Sequence, residues 1–77
     1  MDRFTQQEKG VYEHIAYWNR VFGRGVRADD LVNTTTYTRD VINSAIAKLH
    51  AEGMIKKAPA PKRAIPPVLP ATYWEVE

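Results

Sequence analysis

Apolar side chains return along the first third of the chain at a helical spacing. Val11, Ile15, Trp18 and Phe22 are separated by four, three and four residues. That spacing puts them on one face of an α-helix, which Tyr12 and Ala16 widen. The start is marked by Thr5-Gln6-Gln7-Glu8, a capping box. In it the Thr5 hydroxyl accepts from the Glu8 N–H and the Glu8 carboxylate accepts from the Thr5 N–H. Gly10 weakens the helix by about 1 kcal/mol relative to alanine without ending it. Gly23 and Gly25 stop the pattern.

Val26 follows as a short extended piece. A second, brief helix is expected next, with Asp29 and Asp30 in a first turn where the helix dipole favours acids. Leu31 and Val32 form its buried face, and Arg27 is a poor N-cap. Asn33-Thr34-Thr35-Thr36 is polar and β-branched and reads as a non-helical turn. Thr38 is placed to cap a third helix, whose inward stripe is Ile42, Ala45, Ile46 and Leu49. Gly53 closes it. Met54-Ile55-Lys56-Lys57 reads as a strand and Thr72-Tyr73-Trp74-Glu75-Val76 as a returning one, with Trp74 toward the first helix and Tyr73 away from it. All five prolines fall between them, so residues 58–70 are expected to form an extended loop.

Composition narrows the function classes. At 77 residues the chain is one domain with a modest core. It has no cysteine, which removes disulfides and thiolate metal sites. No apolar run approaches a membrane span and the first residues lack a signal-peptide core, so a cytoplasmic protein is expected. The net charge is only +2, but its distribution is uneven. Arg20, Arg24 and Arg27 fall together, and Lys56, Lys57, Lys62 and Arg63 follow one another with no acid between them. Local basic clusters of this kind suit phosphate contact. His14 and His50 are isolated from any metal-ligand spacing, and no nucleophile–base pair or phosphate-cradling glycine loop stands out. Neither an enzyme nor a resident cofactor or metal is expected.

The order of elements resembles the winged helix-turn-helix family of transcription regulators. The pattern is carried by Leu31-Val32 on the second helix, Tyr37 before the third, Ile42, Ile46 and Leu49 within it, and His50-Ala51-Glu52-Gly53-Met54-Ile55 leading into the wing. It departs from the family at the turn, where Thr36 stands for the usual glycine and Thr35 for a leucine. The resemblance implies a mainly α domain with a small β-hairpin, three helices and a two- or three-stranded antiparallel wing. It also implies a small prokaryotic or phage-type regulator that binds double-stranded DNA, with homodimers common.

Carried over by position, Thr38, Arg39, Asn43 and Ser44 are expected to face base edges. Lys48, and Lys57, Lys62 and Arg63 of the wing, are expected near the DNA backbone. Arginine suits guanine and asparagine suits adenine, each through paired hydrogen bonds. Asp40 is the discordant residue on this face: it caps the helix, reads cytosine or holds Arg39. Each side chain also has an ordinary role, since exposed arginines are usually solvated and edge lysines deter aggregation. The alternative is a winged helix that docks on another protein without binding DNA, favoured by Asp40, the modest charge and the proline-rich loop. Single-strand binding through Tyr73 or Trp74 is a third possibility, without the dense aromatic spacing such platforms use.

Overall fold

The computed structural model describes residues 3–23, 25–59 and 72–77. Arg24, Lys62, Arg63 and nearly all of the expected proline-rich loop lie outside the described residues. The elements run α1 (Gln6–Phe22), α2 (Ala28–Thr34), α3 (Arg39–Ala51), β1 (Ile55–Ala58) and β2 (Tyr73–Val76). β1 and β2 are antiparallel, with Ile55 opposite Val76, Lys57 opposite Trp74 and Ala58 opposite Tyr73. Val26 adds a single bridge on the other edge of β2, exchanging both hydrogen bonds with Trp74 at 3.0 and 2.8 Å. β2 is therefore central, and the α1–α2 link ties the sheet to the helices. This is a mixed α+β winged-helix layout.

Each helix starts where its side chains supply the missing acceptors. Thr5 and Glu8 form the expected capping box, with hydrogen bonds of 3.1 and 2.7 Å. Thr38 accepts from the Val41 N–H at 3.3 Å. Arg27 caps α2 poorly by itself, but Asp30 compensates: its carboxylate accepts from the Arg27 N–H and pairs with the guanidinium at 3.0 Å. That pairing raises the Arg27 pKa above its ordinary value.

The turn differs from expectation. Asn33 and Thr34 belong to α2. The Thr34 hydroxyl donates to the Asp30 carbonyl at 2.7 Å, and the Thr35 hydroxyl to the Leu31 carbonyl at 2.6 Å. Each hydroxyl bonds back to the carbonyl four residues earlier, alongside the backbone N–H that carbonyl already accepts, so these threonines sit at the end of the helix instead of ending it sooner. Thr35 then leaves in an extended conformation, and its hydroxyl accepts from the Tyr37 N–H at 3.3 Å. No left-handed residue is needed, which explains a turn without glycine. Among the described residues, positive φ occurs only at Gly23 and Gly53.

The core joins Val11 and Ile15 of α1, Val26, Leu31 of α2, Ile42, Ala45, Ile46 and Leu49 of α3, and Ile55 of β1. Two expectations are corrected. Phe22 is 53% exposed, because it is the last residue of α1 and rests on Trp18 beyond the edge of the core. Trp18 is itself only partly buried. Tyr73 lies on the face of the sheet opposite Trp74, as alternation requires, yet is only 8% exposed, while Trp74 is partly buried. The cause is the close approach of Gly25. A side chain there would meet the Cβ atoms of Ala58 and Tyr73 at 2.8 and 2.9 Å, so backbone covers that side of the sheet.

Candidate nucleic-acid interface

α3 packs through Ile42, Ala45, Ile46 and Leu49, which turns the opposite side outward. Thr38, Arg39, Asp40, Asn43, Ser44, Ala47 and His50 are exposed. On a helix of 3.6 residues per turn, Arg39, Asn43 and His50 share one edge of that outward side. Asp40 and Ser44 share the other.

The two edges open onto different surroundings. Asn43 lines a recess of about 330 Å³ with Arg27 and Asp29 of α2 and with Thr72 and Trp74 at β2. His50 lies edge-on to Trp74, ring centroids 5.0 Å apart. This groove separates α3 from the wing, and Lys57 is paired with Trp74 across the sheet. Ser44 lies with Asp40 in another recess, shared with Gln7 of α1 and with its N-cap Thr5. Asn43 and Ser44 are thus both exposed but do not converge on one pocket.

The charges are more constrained than the sequence implies. Arg39 donates to Asp29 of α2 at 2.5 Å, with both side chains more than half exposed. Asp29 thus holds Arg39, a partner ten positions away on another helix; the sequence had offered only the adjacent Asp40. Lys48 turns away from this edge. Its ammonium donates to the Arg3 carbonyl at 2.7 Å, lies 3.5 Å from Glu8, and sits 5.4 Å from the Phe4 ring centroid. It fastens the N-terminal segment to α3. The Glu8 pKa is lowered, first by the Thr5 N–H and further by Lys48. Lys56 pairs with Glu75 across the wing at 3.6 Å. Lys57 is exposed and enters none of the ion pairs among the described residues. Lys62 and Arg63 lie outside the described residues.

One contact that sequence reading missed fixes where the wing sits. The Asn19 side chain of α1 accepts from the Val76 N–H at 2.9 Å and donates to the Trp74 carbonyl at 3.3 Å. It clamps the central strand by its backbone. Nothing in the local pattern marks this asparagine among the polar residues of α1.

No group of histidines and carboxylates suited to a metal occurs among the described residues. No helix among them is long and apolar enough to cross a membrane. Comparison with protein-family models, with curated proteins and with solved structures finds no match.

Proposed function

We propose that the chain binds double-stranded DNA, with the Arg39–Asn43 edge of α3 in the major groove and Lys57 of the wing against the phosphates. The observation that carries this reading is the exposed Arg39–Asn43 edge, on a helix whose other side is buried, with Asn43 sharing a recess with Trp74 of the wing and exposed Lys57 opposite Trp74 in the sheet. A helix presented in this way fits the major groove, and its first turns meet base edges. The Arg39–Asp29 pair does not oppose the reading. An exposed pair is worth about 0.2–1 kcal/mol, so a guanine that bonds both guanidinium nitrogens displaces Asp29 at little cost. Thr38 spends its hydroxyl as a cap, so its role is to fix the helix start, with any DNA contact secondary. Lys48 holds Arg3, and Ser44 sits on the far edge beside Asp40. Transcription regulation is the ordinary use of such a module.

The test is titration of labelled duplex over a range of salt concentrations. Binding should weaken steeply with salt, and Lys57→Ala should reduce the magnitude of the log–log slope by about 1. Arg39→Ala should cost about 1–3 kcal/mol on a selected sequence. Absence of duplex binding at low salt would reject the proposal. A second reading keeps the same face as a docking site for a neutral or mixed-charge protein surface. It is favoured by the acid Asp40 and by the paired state of Arg27, Arg39 and Lys56. Under it, the chain binds no duplex at low salt.

A further inference from the structure

The edge of α3 that carries Arg39 and Asn43 ends on a third polar side chain. At about 100° per residue, His50 falls between those two around the helix axis, in the last turn. It is exposed. Its ring meets Trp74 of β2 edge-on, at an interplanar angle of 62°. That contact holds the imidazole at the foot of the groove between α3 and the wing. Lys57 stands directly opposite Trp74 in the sheet, so the two side chains leave the same face. The groove thus has a histidine on its helix wall and a lysine on its wing wall, joined through Trp74.

The charges of the surrounding elements are spent elsewhere, whereas His50 enters none of the ion pairs among the described residues. On α2, Arg27 and Asp29 line the recess beside Trp74 and pair with Asp30 and Arg39. Lys56 and Glu75 pair on the opposite face of the sheet. Near the end of α3, Lys48 is held by Glu8 and Glu52 by Arg3. Glu77 follows β2, exposed, with its N–H donating to the Met54 carbonyl at 3.2 Å. From α1, β2 is met by Asn19, which carries no charge. The last turn of α3 itself favours a positive side chain through the helix dipole.

We propose that His50 binds a phosphate of the DNA duplex as an imidazolium, across the groove from Lys57, so that duplex binding takes up a proton. The inference rests on α3 being the DNA-facing helix and adds the residue that makes such binding depend on pH. An imidazole changes charge between about pH 5 and 8, while from pH 6 to 8 carboxylates stay anionic and lysine and arginine stay cationic. The imidazolium N–H donates a charge-assisted hydrogen bond to a phosphate oxygen, which favours the charged form. The complex then holds more protons than the separate molecules, and affinity rises as pH falls. His14 stands outside this groove: its Nδ1 lies 2.8 Å from the Gly10 carbonyl and its ring is edge-on to Tyr37.

The experiment is fluorescence anisotropy of a labelled duplex with the full chain at pH 6 and pH 8, at one fixed low salt concentration. Binding should be about three- to fivefold tighter at pH 6, the gain expected from one exposed charge pair. His50→Gln should bind equally at both pH values. His50→Lys should bind at pH 8 about as tightly as the native chain does at pH 6, with no pH dependence. His14→Gln should keep the native difference. His50 is exposed, so circular dichroism should show unchanged helix content in its variants. A native chain indifferent to pH overturns the inference and leaves the DNA reading standing. So does a pH difference that survives in His50→Gln, or a His50→Gln that weakens binding equally at both pH values. Absence of duplex binding at either pH rejects the DNA reading, and this inference with it.

Discussion

Replacing Asp29 by asparagine should destabilise the fold and strengthen DNA binding together. Asp29 faces Arg39 at 2.5 Å, with side-chain exposures of 54% and 58%. Water screens so open a pair, which limits its value to about 0.2–1 kcal/mol. Asp29 also sits in the first turn of α2, where a negative charge adds about 0.3–1 kcal/mol through the helix dipole. Asparagine keeps the shape and loses the charge, so the fold should lose on the order of 1 kcal/mol. For a domain of this size that lowers Tm by roughly 4–8 °C. In the complex the same change removes a competitor for Arg39 and a carboxylate near phosphate. Release of a pair worth about 0.2–1 kcal/mol corresponds to a roughly 1.4- to 5-fold gain in affinity. Thermal melts by circular dichroism give the first effect, and fluorescence anisotropy with a selected duplex at about 50 mM salt gives the second. Weaker binding by Asp29→Asn would refute the reasoning, because Asp29 would then be positioning Arg39 for the groove instead of restraining it.

Other consequences concern the scaffold. The lowered pKa of Glu8 means that its carboxylate stabilises the fold fully above pH 4.5 and loses that effect as pH falls through the folded-state value. Below pH 4.5 the Tm of the native chain should therefore fall more steeply than that of Glu8→Gln, which keeps an acceptor for the Thr5 N–H but has no charge to lose. Gly10→Ala should destabilise despite better helix propensity, since the new Cβ would collide with the Tyr37 hydroxyl. Tyr37→Phe in the same chain should recover much of the loss, read as a double-mutant cycle of melting temperatures. Asn19→Ala removes both hydrogen bonds to β2 and should cost about 1–3 kcal/mol, measurable by urea unfolding.

What was legible in the sequence was what acts locally. The capping box, the Thr38 cap, the apolar stripes of α1 and α3 and the closing glycines each follow from spacing within a few residues. The antiparallel wing followed from alternation and from the prolines between its strands. The end of α2 did not follow, because a threonine hydroxyl can either compete with the helix or bond back to the carbonyl four residues earlier, and only the folded chain selects the second. Long-range partners were hidden for a plainer reason. Asp29 and Arg39 meet because α2 packs on α3, and Asn19 meets Val76 across 57 positions. Lys48 had the residue type and helix suited to a phosphate contact, but its place on the wheel, near the α1 side, gives it to Arg3 and Glu8. Tyr73 follows alternation, but its burial was not legible, because Gly25 lets backbone close over the outer side of the sheet.

The most direct test of DNA reading by α3 is an NMR titration of the isotope-labelled chain with a duplex selected from a random pool. The amide signals of Arg39, Asp40, Asn43 and Lys57 should shift together and saturate at one stoichiometry, while those of Tyr17 and Val21 on α1 stay in place. A duplex that leaves the α3 signals in place, or shifts only residues away from α3 and the wing, would contradict it.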